Sequence, residues 1–301
     1  MPEQDRLAND LVFTVLPGFT QARYGREFEF LGEVKKMLDS GFEVVGGSAA
    51  DHRLEENFQM VNGEVFSDAA VVAHLSTDLE VVTGQDHGMH EEVATGIVTE
   101  VEGRELREIS GEPAAEFYAD AVGASVEDLS AVYDLDLKEK LKAGLRYSRM
   151  KLMGEDPVTV HDVVSYSMDN AIATAMGPDS YRILSPYQVT DENGLMMAAE
   201  MEESQPVYVM RGDREDIIEA GKNAFPGFDR SSAALAVITD CGTRFTNLEA
   251  EELERENELI RERLGEDFVG FYGLGEIGGK GEDICTFMNQ TVTGFALKNG
   301  S

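Results

Sequence analysis

Apolar runs and helix-like segments alternate along the chain, and one order of elements occurs twice. Near the N-terminus an apolar run is followed by a helical pattern over 26–39 and then by a second apolar run. The same order returns near the C-terminus. The two runs start 31 residues apart in the first copy, at Leu11 and Phe42, and 33 residues apart in the second, at Leu235 and Phe268. These matching intervals predict an internally duplicated β-α-β-β unit.

Strand and helix patterns continue between the two copies. Asn62-Gly63 supplies the positive φ angles of a two-residue turn, which predicts a hairpin over 58–66. Apolar or alternating runs predict further strands at 69–75, 93–101, 181–189, 194–201 and 206–210. Helical spacing predicts helices at 113–122, 134–153, 162–176 and 214–225. The alternation indicates an α/β fold with mixed (α+β) sheets, arranged as two packed lobes.

Two capping signals mark helix starts in the C-terminal half. Asp213 precedes the helix at 214–225 and is predicted to cap it. Thr246 and Glu249 have the spacing of a capping box, which predicts a helix that starts after Thr246 and ends near Leu264.

The charge of the chain is its most unusual bulk property. It has 58 Asp and Glu residues against 25 Lys and Arg residues, a formal net charge of −33 that is spread over every segment. Self-repulsion of this size destabilises a compact state in dilute buffer, and salt at about 1 M shortens its reach to about 3 Å. We therefore expect a protein from a salt-rich cytoplasm. Nucleic acid and anionic membrane surfaces are excluded as partners, because both need a basic face.

The sequence also predicts where the protein resides. Its two cysteines, Cys241 and Cys285, give no disulfide framework, and the N-terminus has no signal peptide. No apolar run approaches the roughly 20 residues that span a bilayer. His87 and His90 have the close spacing of metal ligands but lie in a predicted loop without further ligands. We expect a cytoplasmic protein that needs no metal and no cofactor.

A glycine-rich turn near the C-terminus carries one acid, Glu276. Gly273 to Gly278 matches G-x-G-x-x-G, but more glycine and then a strand follow, whereas a dinucleotide site needs a helix start. The motif therefore predicts a tight turn. Glu276 and Arg244 both follow the carboxyl ends of predicted neighbouring strands, where α/β proteins bind ligands. They could hold an amine and a carboxylate, or form a structural ion pair.

Cys241 lies where a predicted strand gives way to a loop. A thiol near a helix start can be nucleophilic, but no histidine stands near it in sequence to act as a base. The many carboxylates of the chain would raise its pKa. We predict a mostly buried packing or pocket-wall residue with no histidine in contact.

Three motifs stand in order in the C-terminal half: Cys241-Gly-Thr-Arg244, Gly270-Phe-Tyr-Gly-Leu-Gly-Glu276-Ile and Asn289-Gln290-Thr291. Together they resemble the motifs of the FIST family, whose members are sensory domains named for F-box and intracellular signal transduction proteins. Weaker landmarks are Val45-Gly46-Gly47-Ser48-Ala49, Asn62-Gly63, Gly111-Glu-Pro113-Ala-Ala-Glu-Phe-Tyr118 and Arg182. The resemblance covers nearly the whole chain. It implies a FIST N-like lobe over 1–109 and a FIST C-like lobe over 110–301.

Two departures from the family pattern stand out. The usual N-terminal opening of the family is absent, so the first lobe is expected to be incomplete or differently closed. The predicted helical segment over 134–176 is an insertion.

The resemblance implies a cytoplasmic domain that binds a small ligand, such as an amino acid or a related metabolite, and signals through a separate protein. The residues implied as ligand-binding are Arg244, Glu276, Cys241, Gly275, Asn289, Gln290, Arg182, Gly46, Gly47 and Ser48. Two alternatives stay open. One is a cysteine-dependent hydrolase or acyl-transfer enzyme that uses Cys241, and the other is a scaffold that docks a signalling partner through its hairpins.

The first testable prediction concerns salt. Because −33 of charge is spread along the chain, screening should relieve repulsion in the folded state. The melting temperature should therefore climb steeply as KCl rises from dilute to molar concentration, as followed by circular dichroism. A flat curve over that range would contradict the expectation of a halophilic protein.

Overall fold

The structure is a computed structural model that describes residues 9–20, 25–37, 43–51, 56–127, 129, 169–177, 180–278 and 286–299. The strands of the N-terminal half are β1 (Asn9–Pro17), β2 (Glu43–Ala49), β3 (Phe58–Val61), β4 (Glu64–Ser67), β5 (Val71–Thr77), β6 (Glu80–Asp86), β7 (Glu91–Glu102), β8 (Glu105–Ile109) and β9 (Glu112–Pro113). Those of the C-terminal half are β10 (Asn170–Gly177), β11 (Ser180–Leu184), β12 (Pro186–Val189), β13 (Leu195–Met197), β14 (Pro206–Arg211), β15 (Ala233–Cys241), β16 (Phe268–Gly273), β17 (Glu276–Gly278), β18 (Thr286–Met288) and β19 (Val292–Lys298). The helices are α1 (Glu27–Met37), α2 (Ala114–Val122), α3 (Arg214–Asn223), α4 (Gly242–Asn247) and α5 (Ala250–Leu264). The predicted mixed α/β class is confirmed.

The chain folds into two compact units, and each is built from separate stretches of sequence. Unit 1 comprises residues 1–87, 218–242 and 251–301, and unit 2 comprises residues 88–217 and 243–250. The predicted lobes, 1–109 and 110–301, instead divide the sequence at a single point. That division stays a prediction.

Two sheets form most of the described part of unit 1. Sheet A has the strand order β18-β17-β2-β1-β5, and sheet B has the order β16-β15-β19-β6. The hairpin of β3 and β4 stands beside them. An apolar layer that includes Leu11 and Val45 of sheet A with Phe295 and Leu297 of sheet B forms one core cluster.

A second core cluster covers the other face of sheet B. There Ala236 and Ile238 of β15 pack with residues of α3 and α5, among them Ala220 and Ile260. Alternate residues of β15 therefore face opposite sides, since Val237 packs against the layer between the sheets. This alternation identifies which side chains near the end of β15 point toward sheet A.

Strand pairing in unit 1 follows one scheme twice. β1 pairs with β2 in parallel and with β5 antiparallel. β15 likewise pairs with β16 in parallel and with β19 antiparallel. In each copy an antiparallel pair stands between the second and the last strand, β3–β4 in one and β17–β18 in the other. This shared scheme supports the predicted duplication, which stays a prediction.

Unit 2 contains one large sheet. Within its described residues the strand order is β11-β10-β14-β7-β8-β13-β12, and β9 pairs with β8. Its core cluster includes Met89, Ala171, Ile183 and Met210. The fully buried Tyr118 of α2 donates a hydrogen bond from its hydroxyl to a backbone carbonyl of β10.

One predicted helix is wrong from Asn170 onward. The segment 162–176 was expected to be helical, but β10 occupies Asn170–Gly177. Residues 171–173 are fully buried between β11 and β14, so ladder pairing on both edges overrides the helix propensity of the alanines. The helix predicted at 134–153 and residues 162–168 lie outside the described residues.

Two further expectations need correction. Thr246 is not the cap of the long helix, because it lies inside the short helix α4 and α5 begins at Ala250. The strand predicted over 181–189 is two strands, β11 and β12, which pair with different partners. The strands β6 and β8 were not predicted.

Several local predictions are confirmed. The hairpin over 58–66 forms, with Asn62 and Gly63 at φ 52° and 82°. The carboxylate of Asp213 accepts a hydrogen bond from the amide of Asp216, 2.9 Å away, as an N-cap does. The long C-terminal helix ends at Leu264. Within the described residues, none of the helices combines the length and hydrophobicity that a membrane span requires.

The close approach of β2 to β1 provides the second testable prediction. Gly46 has φ 153°, and an added Cβ would lie 1.8 Å from the carbonyl oxygen of Thr14. Gly46→Ala should therefore lower the free energy of unfolding by roughly 3 kcal/mol or more, measured by denaturant titration in molar KCl. Gly32→Ala is the matched control, because an added Cβ there meets no atom within 4 Å and α1 would gain up to about 1 kcal/mol. Equal effects of the two substitutions would contradict this account.

Candidate functional site

The carboxyl ends of parallel strands from both sheets meet in unit 1. The amide of Ser48 at the end of β2 donates to the carbonyl of Gly275, 2.9 Å away. The carbonyl of Ser48 accepts from the amide of Leu274 at the same distance. This backbone pairing joins the end of β2 to the turn that follows β16. Ligands of α/β proteins bind at such ends, because loops diverge there and leave polar groups unpaired.

The side chain of Glu276 points toward sheet B. Glu276 stands opposite Gly47 in the pairing of β17 with β2, so the two residues share a face of sheet A. An added Cβ on Gly47 would lie 2.4 Å from the Thr239 methyl carbon. Gly278, two residues along from Glu276, would place its Cβ 3.4 Å from the Thr293 methyl carbon. The face that carries Glu276 therefore looks onto β15 and β19.

Three polar side chains form a row across the facing end of sheet B. Thr239 of β15 pairs directly with Thr293 of β19, and Thr293 pairs with Gln85 of β6, so all three lie on one face. We call this set the polar row. Both threonine hydroxyls and Oε1 of Gln85 are buried without a hydrogen-bond partner among the residues that the structure describes. Each such unpaired buried group destabilises the folded state by about 1–3 kcal/mol, so the polar row lowers the stability of unit 1.

Glu276 is fully buried beside the polar row. Its Oε2 accepts a hydrogen bond from the amide of Thr291, 3.2 Å away, whereas Oε1 has no partner in the described part of the chain. Burial raises the pKa of the Glu276 carboxyl well above its ordinary value, and the nearby Asp240 raises it further. The Thr291 amide, the Cys241 thiol and the Gly275 amide oppose this rise. The carboxyl is therefore neutral more readily than an exposed glutamate.

The turn at 289–291 explains why the amide of Thr291 reaches Glu276. Gln290 has φ 52° in the left-handed region, and the hydroxyl of Thr291 donates to the Asn289 carbonyl 2.7 Å away. All three residues are buried. The motif that carried the family resemblance thus shapes a turn that presents a backbone donor to the acid.

Cys241 stands at the end of β15, on the same side as Thr239. It is 2% exposed, which confirms the prediction of a mostly buried residue. Its amide donates to the Asp240 carboxylate 2.7 Å away, and its thiol acts on the pKa of Glu276. The expectation that no histidine contacts it stays a prediction.

Ser48 and the predicted site glycines have structural roles within unit 1. The Ser48 hydroxyl donates to Oε1 of the buried Glu27, 2.9 Å away. Gly46 and Gly47 allow close approach to Thr14 and Thr239, and an added Cβ on Gly275 would collide with the ring of Phe287. These glycines therefore set the spacing of the strands that carry the polar groups.

The two predicted arginines belong to unit 2. Arg244 on α4 is fully buried, and its Nη2 donates to the carbonyl of Ile217, 2.7 Å away. Burial lowers the pKa of Arg182 to about 10, with Arg104 adding to this effect and Glu200 and Glu202 opposing it. Arg182 stays cationic at neutral pH. Since Arg244 and Glu276 lie in different units, their shared site stays a prediction.

Neither a metal cluster nor a nucleotide motif is found in the described part of the chain. No three His, Cys, Asp or Glu side chains converge there as metal ligands. Gly273–Gly278 forms the end of β16, a turn and β17, and no helix begins within it.

Sequence reasoning missed Asp240 and the polar row. The sequence did contain a signal for the polar row: a threonine interrupts each of two apolar strands. These are Thr239 within 235–241 and Thr293 within 291–297. Threonine is a common strand former, so this pattern alone does not distinguish a site from an ordinary sheet.

Comparison with protein families identifies the class of this chain. The model of the FIST N domain matches residues 5–112, and that of the FIST C domain matches residues 114–279. The chain belongs to the FIST family. FIST domains are sensory domains of signal transduction, as the sequence motifs implied. No curated protein matches the sequence.

The third prediction follows from the raised pKa of Glu276. An acid whose pKa is higher in the folded state stabilises the fold below its ordinary value of 4.5, and this contribution is lost as pH rises toward the folded pKa. Relative to wild type, Glu276→Gln should become more stable as pH rises from 5 through neutrality, by at most about 1.4 kcal/mol per pH unit. Unfolding by denaturant in molar KCl at each pH measures this difference.

Glu276→Asp is the matched control, because it keeps a titratable carboxyl and should keep the wild-type pH dependence. A constant stability difference between Glu276→Gln and wild type across this range would show that Glu276 is not protonated in the folded state.

Proposed function

We propose that this protein is a sensor whose unit 1 binds a small metabolite with a primary amine, of the amino-acid class. One observation carries the proposal. The fully buried Glu276 has an orphaned oxygen and faces the polar row, whose own oxygens also lack partners among the described residues. Buried polar atoms without partners are rare in folded proteins, and a bound ligand or ordered water accounts for them.

The chemistry of these atoms favours an ammonium group. The Glu276 carboxylate accepts hydrogen bonds only, Oε1 of Gln85 is an acceptor, and the hydroxyls of Thr239 and Thr293 accept readily. An ammonium group offers three donors and no acceptor. It would satisfy up to three of these oxygens at once, and the bond to the carboxylate would be charge-assisted.

Charge also favours a cation over an anion. Asp240 and Glu276 are both buried, and the charge of Asp240 raises the pKa of Glu276. A cationic ligand relieves this repulsion, while an anionic one would add to it. Glu276 gives up its proton to solvent as the ammonium arrives, so binding should tighten as pH rises toward neutrality.

Six of the other predicted site residues have supporting roles in this proposal. Gly46, Gly47 and Gly275 set the spacing of the sheets, and Asn289 and Gln290 shape the turn that presents the Thr291 amide. Cys241 is a wall residue. The protein would act in a salt-rich cytoplasm and pass its signal to a separate protein.

The fourth prediction tests the amine site. Free amino acids and small primary amines are compared with their N-acetylated forms by thermal shift and calorimetry in molar KCl. At least one amine should stabilise the wild type, and its N-acetylated form should bind at least about tenfold more weakly, because the charged donor is lost. Glu276→Gln should lose this preference.

Thr239→Val and Thr293→Val provide controls of matched shape. Each removes an orphaned hydroxyl, so the empty protein should be as stable as wild type or more so, while amine binding weakens. If both variants are instead destabilised and bind normally, the hydroxyls are structural. A protein that responds to no amine, or equally to amines and N-acetylated amines, would contradict the proposal.

A further inference from the structure

We infer that a groove at the start of α1 docks a segment of a partner protein that is both basic and apolar. The groove lies in unit 1 and encloses about 400 Å³. This inference concerns a different surface from the amine site and does not depend on it.

The floor of the groove is apolar. It is lined by Pro17 at the end of β1, by the half-buried Phe30 of α1 and by Ala70 before β5, whereas Leu16, which also lines it, is only 1% exposed. Apolar surface that lines an open groove stays in contact with water in the free protein. Covering it with an apolar side chain is favourable, because apolar surface is then removed from water.

The rim of the groove is acidic. It is lined by three carboxylates and one cation. The carboxylates are Glu29, Glu33 and Asp68, and the cation is Arg26. Arg26 pairs with Glu29, and Lys36 pairs with Glu33 at 2.7 Å. These pairs are 63–77% exposed, so solvent weakens both ion pairs and a partner's cation can replace the lysine or arginine. An excess of carboxylates over an apolar floor selects a ligand with basic and apolar groups together.

The position of Asp68 on the rim is held by its backbone. It adopts φ 55°, and its amide donates to Oδ1 of the buried Asn57, 3.2 Å away. The Asn57 side-chain amide also donates to the carbonyl of Gly18, 3.4 Å away. The backbone of the rim acid is thus tied through Asn57 to Gly18, the residue after β1.

The β3–β4 hairpin carries a second exposed apolar surface in unit 1. Its Gln59 donates to the carbonyl of the lining residue Leu16, 3.4 Å away. The opposite face of the hairpin carries Phe58, Met60 and Val65, which are 51%, 69% and 64% exposed. Met60 and Val65 pair directly, so this apolar set is contiguous. Exposed contiguous apolar surface is typical of protein-binding sites.

A partner protein fits these features better than a small cation does. A small cation would use the rim but leave the apolar floor and the hairpin uncovered. A second copy of this chain is disfavoured, because it would bring a further net charge of −33 against the acidic rim.

The test uses three short peptides of equal length: an amphipathic lysine–leucine peptide, a lysine–serine peptide and a glutamate–leucine peptide. Fluorescence anisotropy at moderate salt measures their binding to the full chain. We expect the lysine–leucine peptide to bind at least about tenfold more tightly than either of the others. Equal binding of lysine–leucine and lysine–serine peptides, or competition by a simple polyamine as effective as the peptide, would show a site for cations only.

Charge reversal locates the site. Glu29→Lys with Glu33→Lys should weaken binding of the lysine–leucine peptide at least about tenfold. The matched control is Glu258→Lys with Glu262→Lys, also exposed, four residues apart and on a helix, which changes the net charge equally. An equal loss in both double variants would mean non-specific attraction to an acidic protein and would overturn the inference. The double variant Met60→Ser with Val65→Ser then measures how much the apolar surface of the hairpin contributes to binding of the lysine–leucine peptide.

Discussion

The two backbone hydrogen bonds of Ser48 are the interaction on which the site in unit 1 depends. They hold the turn after β16 against the end of β2, and there the chain leaves sheet B and enters sheet A as β17. Gly275 makes this crossing with φ 117°, a conformation that side chains other than glycine rarely adopt. Because β17 joins sheet A at this point, Glu276 faces the polar row instead of solvent.

This arrangement puts polar groups where an apolar core would be more stable. The layer between the sheets is apolar around Leu11 and Phe295 but polar at the end that holds Thr239, Thr293 and Glu276. Orphaned atoms there weaken the fold, and the apolar clusters on both faces of sheet B offset that cost. Such local conflicts between stability and chemistry are expected at functional sites.

Local signals predicted those parts of the fold that depend on neighbouring residues. The Asn62-Gly63 turn, the Asp213 cap and the strand that contains Leu235 were predicted from such local signals. β10 could not, because its alanines prefer a helix until β11 and β14 supply ladder partners. The polar row could not be predicted either, because it forms only when β6, β15 and β19, which are far apart in sequence, pair in one register. Glu276 was found because it stands alone in a glycine turn, which is a local signal.

The two surfaces should respond differently to the concentrated salt that the charge of the chain predicts. Buried hydrogen bonds to Glu276 are little affected by screening, whereas attraction to the exposed Glu29 and Glu33 falls steeply when the Debye length is about 3 Å. A partner held by charge alone would therefore dissociate in molar salt. The apolar floor at Pro17 and Phe30 supplies an attraction that screening does not remove. This is why an amphipathic segment suits the groove better than a purely basic one.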